Sequence, residues 1–239
     1  MERQVIPELL DSDAGTPREI QDSLDDLKTI NRYFGGLHTM TELISEVAIK
    51  RQIKSLSWLD VAGATGDLAV LTTESLFKRG IKLQPVLLDR MPAHMNMPAS
   101  APIPGSPRSN GRYPSVAGDA LALPFKSDSF DVVSSCLFVH HLEPVQVVQF
   151  TSEALRVARH AVLINDLIRH PLHVALAYAG YALYRSRLTR HDSVASVRRA
   201  YTLDEVEDML RRTCASTIEV RRFFPFRMGV IAWKRSITT

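Results

Sequence analysis

Acidic side chains stand at or near the ends of several short apolar runs: Asp60 in WLDVA, Asp89 in PVLLD and Asp166 in AVLIND, with Asp119 just after PSVAG. A carboxylate so placed can accept hydrogen bonds from the ammonium, hydroxyl or amine groups of a ligand. The first of these runs continues as SWLDVAGATGDLAVL, a strand, a tight turn and a helix start. A pyrophosphate-binding turn needs G-x-G-x-x-G so that backbone and phosphate can approach closely. From Gly63 the chain reads G-A-T-G-D-L and lacks two of those three glycines. No Lys-Ser/Thr pair follows the turn, so a Walker-type phosphate loop is also excluded. Asp67, at the helix start, places a negative charge where a phosphate would otherwise sit and can itself complement the helix dipole. The turn therefore suits a ligand that is not phosphate-centred.

A second set of groups able to do chemistry lies in CLFVHHLEP, where His140 and His141 follow an apolar run. A neutral imidazole near pH 7 can act as a general base. Consecutive side chains point differently, so one of the two is expected to face a pocket. Cys136 and Cys214 are far apart and in no ligand-like spacing. No metal site is expected, and reduced thiols fit a cytoplasmic chain.

The elements that must position these groups follow from the hydrophobic rhythm. Residues 1–20 read as a polar leader without periodicity. A helical pattern over residues 23–50 follows, broken at Phe34-Gly35-Gly36. Five apolar runs then alternate with helix-like segments such as 67–78 and 144–157. Strands that are apolar throughout imply a parallel sheet covered on both faces, a doubly wound α/β domain whose ligands bind beyond the carboxyl ends of the strands. Residues 91–113, rich in Pro, Ser and Gly, read as a long surface loop. A helical insertion follows Asp166, a capping-box helix starts at Thr202, and two last strands fall near TIEVRRFF and RMGVIAWK.

The bulk numbers set few further limits. The 239 residues are 45% hydrophobic and 23% charged, enough for one sizeable core and against wholesale disorder. The N-terminus has no apolar signal core, and no run is long enough for a membrane span. The net charge of +3 hides an asymmetry. Residues 1–60 carry seven Lys/Arg against eleven Asp/Glu, and residues 167–239 carry thirteen against six. The basic third suits nucleic acid, an anionic substrate or a membrane surface, or it simply solvates helix faces beside a carboxylate-rich neighbour.

Asp60 placed to accept from an ammonium, Asp89 from ribose hydroxyls and Asp119 from an adenine amine fit a cationic nucleoside with an amino-acid tail, and S-adenosylmethionine is such a ligand. In order, LDVAGATGDLA, LLDRM and GDALALPFKSDSFDVVSSCLFVHHL resemble the class I S-adenosylmethionine-dependent methyltransferases, over roughly residues 56–166. The likeness is closest to the branch of the ubiquinone/menaquinone C-methyltransferases and their small-molecule relatives. In that branch the first motif commonly reads Ala-Gly-Gly-Thr-Gly-Asp, so Ala64 alone departs from it. A methyl group there is tolerable provided φ stays negative.

The resemblance implies a Rossmann-like seven-stranded methyltransferase sheet in one structural domain. Residues 1–55 form a leader and helices, and 56–239 the methyltransferase domain, with 167–200 a helical lid over the acceptor. It implies that Asp60 and the backbone of Ala62, Gly63 and Gly66 hold the methionine moiety. Asp89 would hold the ribose, Arg90 and Met91 would flank the adenine, and Asp119 and Ala120 would meet its edge. His140 or His141 would then lie near the transferred methyl as the candidate base. Tyr33, His173, Tyr178, Tyr181 and Arg187 are candidate acceptor-side residues. The expected acceptor is a small phenol, quinone-like ring or polyketide-type metabolite. The expected protein is cytoplasmic, monomeric or homodimeric, without nucleic acid and with room for peripheral membrane contact. Two alternatives stay open: an RNA or protein methyltransferase docking through the basic third, and a non-catalytic S-adenosylmethionine-binding module.

Overall fold

In the computed structural model, residues 1–91 and 113–235 are described. Most of the loop expected over 91–113 therefore lies outside the described residues. Seven strands form one sheet: β1 (Ser55–Val61), β2 (Lys82–Asp89), β3 (Ser115–Ala117), β4 (Phe130–Cys136), β5 (Ala158–Leu167), β6 (Thr217–Phe223) and β7 (Arg227–Trp233). Their order is β3-β2-β1-β4-β5-β7-β6, with β7 antiparallel to both neighbours. The order reverses direction at β1 and β4, and the crevice beyond their carboxyl ends is where such a sheet binds ligands.

The apolar runs become strands because both faces are covered. Trp58, Leu59, Val61, Val132, Val133 and Leu163 are all fully buried. On one face pack α2 (Gly36–Arg51) and α3 (Asp67–Lys78), on the other α4 (Pro144–Val157) and α7 (Leu203–Leu210).

The N-terminal helix α1 (Pro17–Tyr33) begins six residues before the expected start at 23. Its boundary is a capping box: Thr16 accepts from the Glu19 backbone N–H and Glu19 accepts from that of Thr16, with Pro17 at the first helical position. Thr202 caps α7 in the same way, as expected. At the Phe34-Gly35-Gly36 break, Gly35 sits at φ +85°, where an added Cβ would collide with the Phe224 carbonyl. After β5 come α5 (Pro171–Ala179) and α6 (Arg187–Arg199), which meet through Ala177, Val194 and Val197.

Part of the charge asymmetry is balanced by pairs between the two ends of the chain. Arg187 pairs with Glu19, Arg199 with Asp11, and Arg221 with Glu46. Among the described residues no helix is long and apolar enough to cross a membrane.

Candidate active site

The turn after β1 is tied directly to the end of β2. The Ala64 backbone N–H donates to Asp89 Oδ2 at 2.9 Å, the Met91 N–H donates to Oδ1 at 2.8 Å, and the Gly63 N–H donates to the Leu88 carbonyl at 3.3 Å. Gly66 opens α3 at φ +76°, and a Cβ there would stand 2.7 Å from Leu87 Cδ1. Ala62 and Ala64 lie at φ +58° and +42°. The condition of a negative φ at Ala64 is therefore not met: the turn holds both alanines in the left-handed region, where an L side chain crowds its own backbone.

Asp60 is buried to 2% exposure at the end of β1. Ser134 Oγ donates to its Oδ1 at 2.8 Å, and Trp58 Nε1 in turn donates to that Oγ at 2.8 Å. Burial pushes the Asp60 carboxyl up to about 7; the Ser134 hydrogen bond works against this and the nearby charge of Asp89 works with it. The site therefore contains a buried carboxylate that a cation would stabilise. Asp119 is exposed and accepts from the Leu121 N–H at 2.9 Å, while the Gly118 N–H donates to the Asp89 carbonyl at 3.1 Å. Ala120 packs against the core, Arg90 is exposed and Met91 is partly buried.

Past β4, His140 and His141 sit on a short 3₁₀ turn. The side chain of Asp166, at the end of β5, meets His140 twice: Oδ1 lies 2.6 Å from Nδ1, and Oδ2 accepts the backbone N–H at 3.1 Å. Burial opposes charge on this ring, but Asp166 and Glu8 outweigh it and raise His140 to about 10. This setting, with carboxylates facing both ring nitrogens, favours the charged imidazole over the neutral base expected at His140. His141 Nδ1 lies 3.0 Å from Asp11 Oδ2.

Glu8 and Asp11 come from the segment read from sequence as a polar leader. That segment is packed down. Asp192 accepts the Leu9 and Leu10 N–H groups at 2.8 and 3.0 Å. Arg3 donates to the Arg199 and Leu142 carbonyls at 2.8 and 3.0 Å, with its guanidinium 4.4 Å from the Tyr201 ring centre. Neither acid carries a local sequence signal, since both partners lie far along the chain.

The acceptor-side candidates have separate surroundings. His173 stacks on Phe226 at 5.0 Å with Nδ1 3.0 Å from the Ile168 carbonyl, and burial lowers it to about 4. Tyr178 and Tyr181 face each other with ring centres 5.4 Å apart. Arg187 is held by Glu19 at 2.6 Å, and Tyr33 is 69% exposed.

A family model described as a methyltransferase domain matches residues 71–164. No curated protein sequence matches the chain significantly. Among solved structures, the plantazolicin methyltransferase BpumL in complex with SAH is similar at TM-score 0.67 and 13% identity, over 96% of this chain and 95% of that one. Magnesium protoporphyrin IX methyltransferase from Synechocystis PCC 6803, with bound SAH, is similar at TM-score 0.52 and 12% identity, over 84% of each chain. The chain spans 55% of the length of a protein from Nostoc punctiforme PCC 73102, with 81% of itself aligned, at TM-score 0.54 and 17% identity. A methyltransferase-domain match over residues 71–164 and a sheet with the fold of S-adenosylmethionine-dependent methyltransferases thus coincide in this chain.

Proposed function

We propose that the protein methylates a small aromatic or lipophilic acceptor, a phenol, quinone-like ring or polyketide-type metabolite, as the small-molecule branch containing the ubiquinone/menaquinone C-methyltransferases does. The observation that carries the cofactor half of this reading is Asp60, a 2% exposed carboxylate raised to about 7 beside the glycine-containing turn. A ligand ammonium is the charge it lacks. Asp60 and the backbone of Ala62, Gly63 and Gly66 are assigned to the methionine moiety and Asp89 to the ribose. Arg90 and Met91 are assigned to the faces of the adenine, Asp119 and Ala120 to its edge.

The acceptor half is supported by the segment after β5. Leu172, Leu176, Tyr178 and Leu183 are 55, 47, 48 and 72% exposed, an apolar surface suited to cover a lipophilic acceptor as a lid over residues 167–200. Two proteins of the same fold, a plantazolicin methyltransferase and a magnesium protoporphyrin IX methyltransferase, are in keeping with it.

The cofactor supplies a methyl group on a sulfonium, open to in-line displacement. This chain's residues align the reactants and exclude water. With His140 engaged by Asp166 and Glu8, the acceptor reacts in ionised form, as a phenolate or enolate. His140 and His141, tied to Asp166 and Asp11, brace this edge of the site instead of removing the acceptor's proton.

The test is transfer of radiolabelled methyl from S-adenosylmethionine to a panel of phenols and quinols, with bulk RNA and protein alongside. Label is expected in an organic-extractable product and lost in Asp89→Ala. Label confined to RNA or protein, or no transfer to any acceptor, would overturn the reading.

A further inference from the structure

We propose that Glu8, His140 and His141 form a site for one divalent transition-metal ion, with zinc the best match, that fastens the N-terminal segment to the end of β4. Both imidazoles are oriented from behind by a carboxylate, Asp166 on His140 Nδ1 at 2.6 Å and Asp11 on His141 Nδ1 at 3.0 Å. That is the outer-shell arrangement that orients a histidine ligand and raises its basicity. It leaves both Nε2 atoms facing Glu8 Oε1, His140 at 3.3 Å and His141 at 3.7 Å. The three ligand atoms all lie within 4.8 Å of one another. Zinc bonds of roughly 2.0–2.1 Å in a tetrahedron place ligand atoms about 3.4 Å apart, close to both spacings.

Burial supplies independent support. The His140 and Glu8 side chains are 2% and 9% exposed. His140 Nε2 and Glu8 Oε1 face each other at 3.3 Å as a buried ion pair outside hydrogen-bond geometry, and an ion would take the place of the proton between them. Two such atoms are costly unless something between them satisfies both. Two imidazoles and one carboxylate suit Zn²⁺, with Fe²⁺ and Mn²⁺ next. The set draws one ligand from the segment ahead of α1 and two from the turn after β4. An ion there would clasp that segment across the carboxyl edge of the sheet, with a fourth position left for water or a ligand oxygen.

Full-length protein, stripped with a chelator, would be titrated calorimetrically with Zn²⁺ and spectroscopically with Co²⁺. One ion per chain is expected, with micromolar or tighter affinity, visible Co²⁺ bands of a four-coordinate site, and a raised Tm. Glu8→Gln and His141→Ala, each checked for native circular dichroism, should weaken binding by at least about tenfold. His160→Ala, outside the cluster, should not. Substoichiometric binding to folded wild type, or binding undiminished in both cluster variants, would overturn the proposal. It would leave Glu8 and His140 as a proton-bridged clasp. S-adenosylhomocysteine titrations of the same samples report on the cofactor site separately.

Discussion

Ala64 donates its backbone N–H to Asp89 Oδ2 at 2.9 Å, so the turn after β1 and the acid ending β2 are one hydrogen-bonded unit. Ala64 makes that bond at φ +42°, a conformation glycine adopts without a Cβ penalty. Ala64→Gly keeps the bond and removes the strain, offset in part by glycine's greater freedom in the unfolded chain. The expected net effect is a stabilisation of up to about 1 kcal/mol in urea unfolding. Cofactor affinity should be unchanged or tighter. A destabilised Ala64→Gly protein would contradict the strained turn.

Asp60 has the opposite pH signature to a salt-bridged acid. Its folded-state value of about 7 lies above the ordinary 3.8, so the folded protein binds its proton more tightly than the unfolded chain does. Its penalty is absent below about pH 4, grows through the window between, and is complete above about pH 7. Asp60→Asn should therefore stabilise the ligand-free protein at pH 8, by at most about 4 kcal/mol, and be neutral at pH 4. Thermal unfolding across pH 4–8 checks this. A difference that grows on acidification would have the wrong sign.

Arg227 is 2% exposed and its guanidinium donates to the Phe34 carbonyl at 3.2 Å and to Asn31 Oδ1 at 2.9 Å. It thus holds the α1–α2 break against β7. Arg227→Met should cost about 3 kcal/mol, because both acceptors lose their donor inside the protein. Arg227→Lys should fall between the two, keeping the charge without the fork. A loss below about 0.5 kcal/mol for Arg227→Met would show that these bonds are re-formed elsewhere.

The N-terminal segment is pinned at Asp192, which accepts two successive backbone N–H groups. Asp192→Ala should speed amide exchange at residues 8–13 and lower global stability by about 1–3 kcal/mol. Exchange unchanged at those residues would place the pin elsewhere.

Much of this was legible in the sequence, for physical reasons. A strand buried on both faces must be apolar throughout, so WLDVA, FDVVSS and AVLIND mark the sheet, and a polar residue ending such a run marks the crevice. Thr202 and Glu205 carry a local cap signal; Thr16 and Glu19 carry the same one, and it places the start of α1 at Pro17. What escapes sequence is what has no local cause. The left-handed φ of Ala62 and Ala64 is imposed by a turn fixed between a buried strand and helix α3. Glu8 and Asp11 look like ordinary polar leader residues until folding brings His140 and His141 against them. Nor does the sequence of His140 disclose its charge, which Asp166 and Glu8 set from distant elements.

The central claim is tested most directly by calorimetric titration of the full-length protein with S-adenosylmethionine and S-adenosylhomocysteine at pH 7.5. Binding at one ligand per chain is expected. It should weaken at least about tenfold in Asp60→Asn and Asp89→Ala, the loss typical of one buried charge-assisted contact. Absence of binding at millimolar ligand by a folded wild-type protein would contradict the account.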